Sequence, residues 1–219
     1  MENKQFESDG IIMFPSALAD IDEEQLLEEV LTSTESGRLG TWEKKLRVQT
    51  LMKETPEALK VLNKIRRFAE EIGGDVYRKN ETKQLREFAS LTGYPGCKAQ
   101  CWHRDSTESQ AVLMTGFMNI FRTTEENGAL QVVKGTHKTI KWLETTNSSN
   151  IVTIELPEKS LTFINSRLLH RGGANKSKRE IRPIVYASFG QGDLNEPGYF
   201  IHSDLIGKHS LHSQSERKW

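Results

Sequence analysis

The run Ser160-Leu161-Thr162-Phe163-Ile164 is followed, after a short turn, by Leu168-Leu169-His170 and Gly172-Gly173. Short apolar or alternating runs that end in turn residues are typical of β-strands. Similar runs lie on both sides of it, at residues 85–91, 111–121, 129–133, 151–156 and 184–189. Many short strands at this spacing predict a β-sandwich or a β-barrel.

The first third of the chain predicts helices instead. Asp22 is placed to cap a helix of about ten residues, and Ile21 and Leu26 have the spacing of a hydrophobic staple. A second helix should begin at Pro56, carry apolar residues at helical spacing and end at Gly73-Gly74. Helices followed by strands predict helices packed on one face of a mostly antiparallel sheet system. The length suits a single domain over residues 1–219, with a helix-rich part (1–83), a strand-rich core (84–190) and a tail (191–219).

The composition limits the class of protein. The chain has 30 lysines and arginines and 30 aspartates and glutamates, so the formal net charge is zero. Proteins that bind nucleic-acid phosphates or membrane surfaces usually carry a basic excess, and we therefore expect neither partner. No secretory leader pattern opens the sequence, and Cys97 and Cys101 do not form a C-x-x-C motif. We therefore expect reduced thiols and a cytoplasmic location.

A candidate metal site begins at His103 and Asp105. The two residues are two positions apart, so on an extended strand both side chains point to the same side. His170 closes another predicted strand and offers a third ligand. An H-x-D triplet alone is weak, because a lone histidine is more often a hydrogen-bonded structural residue. Two histidines and one carboxylate on one face, however, form the facial triad that binds non-haem Fe(II).

A basic run follows the second histidine. Lys176, Lys178 and Arg179 are typical of a solvated basic turn. Arg182 differs because it opens the predicted strand that continues through Ile184, where its side chain can point into the barrel. Its planar guanidinium would pair with a carboxylate through two hydrogen bonds, as a dicarboxylate cosubstrate requires.

Five stretches together carry a family resemblance. They are residues 6–15, 94–105, 126–138, 161–175 and 182–186. Their order and spacing resemble the phytanoyl-CoA dioxygenase family of Fe(II)/2-oxoglutarate oxygenases over residues 6 to about 190. The resemblance implies a mainly β, double-stranded β-helix (a cupin-like jelly roll) with the N-terminal helices packed on one sheet. It also implies Fe(II), the cosubstrate 2-oxoglutarate and O2 as requirements, with ascorbate as a candidate stimulant. The implied reaction is hydroxylation of a small-molecule substrate, with release of succinate and CO2.

The resemblance also implies roles for particular residues by position. The iron ligands would be His103, Asp105 and His170. The residues that bind the cosubstrate would be Arg182, on its distal carboxylate, together with Gln100, Phe117 and Asn119. The metal ligands would be the only catalytic groups.

Two departures from the family pattern concern the arginine. Arg182 follows His170 by twelve residues where many members have eleven, which leaves Arg179 as an alternative. Ile184 stands where other 2-oxoglutarate oxygenases carry the serine of an Arg-x-Ser pair. The altered spacing supports a second hypothesis, a cupin-like metal-binding protein that has lost 2-oxoglutarate turnover.

Other positions bear on the type of reaction. Related halogenases carry a small residue at the position of Asp105, so its presence favours hydroxylation or another oxidation. Lys134 and Thr136 replace a proline and a serine of a P-G-S-H stretch, and the histidine of that stretch, His137, is expected to be structural. Nucleic-acid demethylation, a third hypothesis, predicts a basic surface that the composition does not indicate.

The C-terminal tail contains further histidines. His209 and His212 have a spacing that suits metal binding on a helix, but with His202 they are better explained by a polar tail or a lid. Trp142 and Trp219 are expected to be packing or surface aromatics, and either could help to close a substrate pocket. The sequence leaves the substrate and the oligomeric state open.

Overall fold

The computed structural model describes residues 2–33, 46–73, 84–106, 114–139, 151–190, 201–206, 208–209 and 211. The helices of this part of the chain are α1 (Glu2–Asp9), α2 (Glu23–Thr32) and α3 (Pro56–Gly73). The strands are β1 (Ile11–Phe14), β2 (Arg47–Leu51), β3 (Gln84–Gly93), β4 (Met114–Asn119), β5 (Leu130–Val133), β6 (Ile151–Ile154), β7 (Ser160–Asn165), β8 (Leu169–Gly172) and β9 (Arg182–Gly190). Two short 3-10 turns span Thr136–Lys138 and Ser203–Leu205.

The strands form two antiparallel sheets. The large sheet has the order β1-β7-β4-β9-β3-β2, and the small sheet has the order β6-β5-β8. Apart from β2 and β3, which follow each other along the chain, neighbouring strands of the large sheet are not consecutive in sequence. This is typical of a jelly roll, where the chain alternates between two facing sheets. The predicted fold class, mainly β with flanking helices and a double-stranded β-helix, is confirmed.

Both predicted helices are present at the predicted positions. Asp22 caps α2, and its carboxylate accepts hydrogen bonds from the amides of Glu24 and Gln25 at 3.1 Å. The staple residues Ile21 and Leu26 are both buried. Helix α3 begins at Pro56, as expected, because proline has no amide hydrogen to leave unpaired there.

Helix α3 covers the outer face of the large sheet. The ring of Phe68 lies 4.7 Å from that of Phe14 on β1 and 6.4 Å from that of Phe163 on β7. At the closest approach, the sheet carries Gly116, where an added Cβ would lie 2.6 Å from Ile65 Cγ2. The missing side chain at Gly116 thus leaves room for Ile65 of the helix. None of the described helices has the length and apolar character that crossing a bilayer requires.

The N-terminal third differs from the prediction in one respect. It contributes two strands as well as helices, because β1 pairs with β7 and β2 pairs with β3 at the two edges of the large sheet. Strand β2 brings Arg47 and Gln49 onto the face that looks toward the small sheet. The helix-rich part of the sequence thus also supplies a wall of the interior.

Candidate active site

His103 and His170 are brought together by the backbone. His103 lies after β3, and its amide donates to the His170 carbonyl at 3.0 Å, while the His170 amide donates back to the His103 carbonyl at 3.0 Å. The amide of Asp105 donates to the Ser166 carbonyl at 2.8 Å. These bonds fix the loop that carries two of the residues against the strand that carries the third. The triad is therefore held in place by main-chain hydrogen bonds.

The side chains of the triad converge on one point. Asp105 Oδ1 lies 3.7 Å from His103 Nε2 and 3.5 Å from His170 Nε2. One ligand atom from each residue can be chosen so that all lie within 4.8 Å of one another. Among the described residues, no other group of three His, Cys, Asp or Glu side chains comes close enough to hold an ion. Two imidazoles and a carboxylate are the donor set of a non-haem Fe(II) site.

Both imidazole rings are oriented for metal binding. The Nδ1 atom of His103 lies 2.9 Å from the Cys101 carbonyl, and the Nδ1 atom of His170 lies 2.9 Å from the Leu168 carbonyl. A carbonyl can only accept, so each Nδ1 carries the hydrogen and each Nε2 presents its lone pair to the site. Burial lowers the pKa of His170, which keeps that ring neutral and able to act as a ligand.

The triad opens onto a cavity of about 410 Å³ between the two sheets. This volume lies in the range of about 300–1,000 Å³ that is common for ligand pockets. Its apolar walls are formed by Leu91, Phe117, Leu130, Ile154, Leu156 and Ile184. Its polar lining includes Arg47, Gln49, Glu87, Gln100, Thr115, Asn119, Thr162, Arg182 and Tyr186.

One end of the cavity carries two arginines. Arg182, the first residue of β9, is only 5% exposed, and within the described part of the chain its Nη2 has no hydrogen-bond partner. Arg47 is held nearby, where its Nη2 donates to the carbonyls of Lys98 at 2.8 Å and Gly173 at 2.9 Å. Burial, together with the positive charge of Arg47, lowers the pKa of Arg182 to about 10. A buried guanidinium beside a half-buried one forms a site for an anion.

Gly172 makes room for this cationic end. A Cβ added at Gly172 would lie 2.7 Å from Arg47 Nη1, 2.7 Å from Gln100 Oε1 and 3.2 Å from Arg182 Nη2. Gly172 is two residues after His170 on β8, so both positions lie on the same face of the strand. Gly172, His170 and both arginines line the same cavity.

The structure separates Arg182 from the alternative, Arg179. Arg179 is exposed and lines a different cavity, together with Arg122, Glu126 and Glu180. Of these two arginines, Arg182 and not Arg179 lines the cavity that contains the triad. The geometry therefore favours Arg182 as the carboxylate-binding arginine.

The other residues that the sequence predicts to bind the cosubstrate, Gln100, Phe117 and Asn119, all line the cavity. They differ in the hydrogen-bonding groups that they can still offer to a ligand. The side-chain oxygen of Gln100 accepts from the Gly172 amide at 2.8 Å, and the backbone N–H of Gln100 donates to the Gly172 carbonyl at 2.9 Å. Gln100 therefore ties the loop to β8. Phe117 contributes an apolar wall and lies 5.9 Å from the Tyr186 ring. Asn119 donates both amide hydrogens, to the carbonyls of Phe121 and Pro157 at 2.7 Å each. It has no hydrogen left to donate to a carboxylate.

Glu87 is a cavity residue that the sequence analysis missed. It lies on β3, and its Oε2 accepts a hydrogen bond from Ser188 Oγ at 2.5 Å. Burial, with a further contribution from the charge of Asp105, raises the pKa of Glu87 to about 8. The available signal was a charged residue at the centre of the strand-like run 85–91. Arg47 had no comparable signal in its sequence surroundings.

The other histidines of the described residues, His137, His202 and His209, do not line the cavity. His137 is buried, with its Nε2 3.1 Å from the Glu7 carbonyl, which agrees with a structural role. His202 pairs with Asp204, and His209 lies 3.2 Å from a carboxylate oxygen of Glu54. His212, Trp142 and Trp219 lie outside the described residues. Cys97 is a buried free thiol and Cys101 an exposed one.

Solved structures share this fold. The epimerase SnoN from nogalamycin biosynthesis, a non-haem α-ketoglutarate-dependent enzyme, aligns with a TM-score of 0.70 at 18% identity, over 85% of this chain and 80% of that one. The carbocyclase SnoK of the same biosynthesis aligns with a TM-score of 0.71 at 14% identity, over 97% and 95%. HygX from Streptomyces hygroscopicus, solved with nickel, 2-oxoglutarate and hygromycin B bound, aligns with a TM-score of 0.64 at 12% identity, over 91% and 96%. At these identities the likeness establishes the fold.

The family of the chain is shown by its sequence. No curated protein matches the chain. The family model described as phytanoyl-CoA dioxygenase matches residues 7–184, a span that includes the triad, Gln100 and Arg182. Since this match covers most of the 219 residues and the fold agrees with it, the chain belongs to the phytanoyl-CoA dioxygenase (PhyH) family.

Proposed function

We propose that this protein is a non-haem Fe(II)- and 2-oxoglutarate-dependent dioxygenase that hydroxylates a small molecule and releases succinate and CO2. One observation carries the proposal. A single cavity combines a two-histidine, one-carboxylate triad with a buried guanidinium, Arg182, whose Nη2 has no hydrogen-bond partner within the described part of the chain. A divalent metal and a dicarboxylate are the groups that such a cavity suits.

The triad residues fit the metal. His103, Asp105 and His170 would hold Fe(II) through the two Nε2 atoms and a carboxylate oxygen, a set that leaves coordination positions open. When bound, Fe(II) supplies the oxygen-activating redox chemistry that no side chain can offer. The protein's part is to keep both rings in the correct tautomer, through the Cys101 and Leu168 carbonyls.

The arginine end of the cavity fits the cosubstrate. Arg182 would donate to the distal carboxylate of 2-oxoglutarate, which would provide the hydrogen-bond partner that its Nη2 lacks. Arg47 would add a second positive charge beside it. Gln100 would keep the Gly172 backbone, and with it the strand that carries His170, in register with the loop that carries His103 and Asp105.

The apolar walls would exclude water around the reacting atoms. Phe117, Leu91 and Ile184 line the cavity between its polar ends, and Phe117 packs against the Tyr186 ring. Removing water strengthens the electrostatic contacts made by Arg182 and protects reactive species from side reactions. The substrate would have to fill the rest of this space to present a C–H bond to the metal.

The test is turnover of the cosubstrate. Protein loaded with Fe(II) without oxygen should show a change in its visible spectrum when 2-oxoglutarate is added. After admission of O2 and ascorbate, with candidate small molecules present, it should form succinate. The His170→Ala variant should do neither. Wild-type protein that binds iron but shows neither the spectral change nor succinate would refute the proposal in favour of a cupin-like metal-binding protein.

A further inference from the structure

Glu87 lies at the opposite end of the cavity from the two arginines. On β9, Arg182 and Ser188 are six residues apart, a separation of about 20 Å along an extended strand. Glu87 is the cross-strand partner of Ser188, and Gly93 is the partner of Arg182. The acid and the arginine therefore mark two ends of one interior wall.

The β3 strand aims Glu87 into the cavity. Glu87, Leu91 and Gly93 lie on the same face of β3 by alternation, and both Glu87 and Leu91 line the cavity. The register of β3 shifts immediately before Glu87, between Leu85 and Glu87, and this irregularity turns Leu85 into the core beneath the helices. In chain order, Glu87 is thus the first cavity-facing residue of β3 after the register shift.

The carboxyl group of Glu87 is only partly satisfied. Ser188 Oγ donates to Oε2, and Thr115 Oγ1 lies 3.0 Å from the same serine oxygen. Within the described part of the chain, no lysine, arginine or histidine forms an ion pair with Glu87. Tyr186 and Gln49, which share this part of the lining, bond to each other. The other carboxyl oxygen, Oε1, has no protein partner in this set.

His103, Asp105 and His170 line the same cavity as Glu87 and the arginines. The charge of Asp105 acts on both Glu87 and Tyr186, whereas the groups that act on Arg182 are Arg47 and Cys97. A five-carbon dicarboxylate that reaches from the triad to Arg182 is much shorter than the cavity wall. The Glu87 end is therefore left for the substrate.

We propose that Glu87 is a substrate-binding residue that selects a molecule carrying a protonated amine. The proposal rests on the function proposed above and names the substrate class for the same site. A carboxylate with one hydroxyl donor, no protein cation beside it and an adjoining apolar wall is complementary to an ammonium group on an apolar body. The raised pKa of Glu87 agrees with this, since a bound cation would offset the cost of ionising a buried carboxyl.

The amine would also orient the substrate. With its ammonium on Glu87, the carbon skeleton would extend along Phe117 and Ile184 toward the triad. Carbon atoms several bonds from the nitrogen would then lie nearest to the metal. Glu87 would thus determine which C–H bond is presented, without touching the reacting atoms.

The test compares two probes of equal chain length, hexylamine and 1-hexanol. Their affinities are measured by calorimetry at pH 7 on Fe(II)-loaded protein without oxygen, both with and without 2-oxoglutarate. We expect hexylamine to bind at least tenfold more tightly than hexanol, and Glu87→Gln to abolish that preference while leaving the affinity for hexanol unchanged. Glu71→Gln, at an exposed position on α3, is the matched control and should keep the preference.

The outcomes separate this inference from the proposed function. Equal binding of the two probes to wild-type protein would overturn the amine proposal even if Glu87→Gln did not fold. A preference that survives in folded Glu87→Gln would overturn it as well. If 2-oxoglutarate fails to bind, the proposed function fails, but a Glu87-dependent amine preference in the iron-only protein would still support the subsite. Unchanged 2-oxoglutarate affinity in Glu87→Gln would place the residue outside the cosubstrate site.

Discussion

His103 and His170 hydrogen-bond to each other through their backbones at 3.0 Å in both directions, and their rings lie 4.3 Å apart between centroids. One residue belongs to the loop after β3 and the other to β8 in the small sheet. The pair therefore joins the loop after the large sheet's β3 to the small sheet at the candidate metal site. Because the joining bonds are made by the main chain, the side chains are free to serve the metal.

Removing either imidazole should cost metal binding and leave the fold intact. We expect His103→Ala and His170→Ala each to weaken Fe(II) binding by about 100-fold or more, because a two-residue site remains. The unfolding midpoint without metal should change little, since the bridge between the two residues uses backbone atoms. The measurement is a metal titration under anaerobic conditions, with His209→Ala as the control histidine outside the cavity. If His103→Ala and His170→Ala bind Fe(II) as tightly as His209→Ala and the wild-type protein do, the metal binds elsewhere.

Replacing Arg182 should weaken the binding of 2-oxoglutarate. Hydrogen bonds to charged groups contribute about 1.5–3 kcal/mol, so Arg182→Leu should reduce affinity by roughly 10- to 150-fold. Arg182→Lys keeps the charge but loses the planar pair of donors, and its affinity should be intermediate. The affinities can be measured by calorimetry on metal-loaded protein.

Arg179→Leu is the matched control for this comparison. It removes an exposed guanidinium outside the cavity and should leave 2-oxoglutarate affinity unchanged. A loss of affinity in this variant, with Arg182→Leu unaffected, would show that the shorter spacing to the second histidine is the functional one.

A methyl group at Gly172 should disturb the cosubstrate site more than the metal site. The added Cβ would lie 2.7 Å from both Arg47 Nη1 and Gln100 Oε1, so these side chains would have to move. We expect Gly172→Ala to bind 2-oxoglutarate at least tenfold more weakly while Fe(II) affinity stays within about threefold. Parallel titrations of metal and cosubstrate test this. If the affinities for Fe(II) and 2-oxoglutarate fall together, Gly172 is needed for the structure of β8 and not for the cosubstrate site alone.

Glu87 should make the metal-free protein less stable as the pH rises. Its pKa is about 8 in the folded state against an ordinary value of 4.5, so the folded chain keeps a proton that the unfolded chain loses. The stabilisation is complete below pH 4.5 and is lost between pH 4.5 and about 8. Glu87→Gln removes this loss. The free energy of unfolding of the variant, relative to wild type, should therefore rise by at least about 1 kcal/mol between pH 4.5 and pH 9, since one pKa unit corresponds to about 1.4 kcal/mol.

Urea unfolding of both proteins at the two pH values measures that difference. A difference between variant and wild type that is the same at pH 4.5 and pH 9 would show that Glu87 ionises normally. A substrate-binding carboxyl that lowers the stability of the empty protein would be an example of stability exchanged for function.

The sequence was most informative where the site is local. His103 and Asp105 could be recognised as one unit because they are two residues apart, and Arg182 could be placed because it opens a predicted strand. Asp22 and Pro56 set the helix starts for the same reason, since capping depends on neighbours within one turn. Each of these features is decided by a few consecutive residues.

The features that the sequence did not reveal depend on pairing across the sheets. Strand β1 is four residues long and is stabilised by β7, more than 140 positions away in the chain. Arg47 enters the cavity only because β2 pairs with β3 at the sheet edge. Glu87 has its hydrogen-bond donor, Ser188, on the neighbouring strand β9. No local pattern encodes such pairings, because the partner strand decides them.

The crowding of Arg47 against Arg182 reaches beyond catalysis. Burial and the charge of Arg47 both disfavour the charged form of Arg182, and a bound anion would offset that cost. A ligand that binds only the folded form raises the free energy of unfolding by RT ln(1 + [L]/Kd). The lifetime of the folded protein should therefore follow the concentration of small dicarboxylates around it. Where such dicarboxylates are scarce, the free energy of unfolding would be lower.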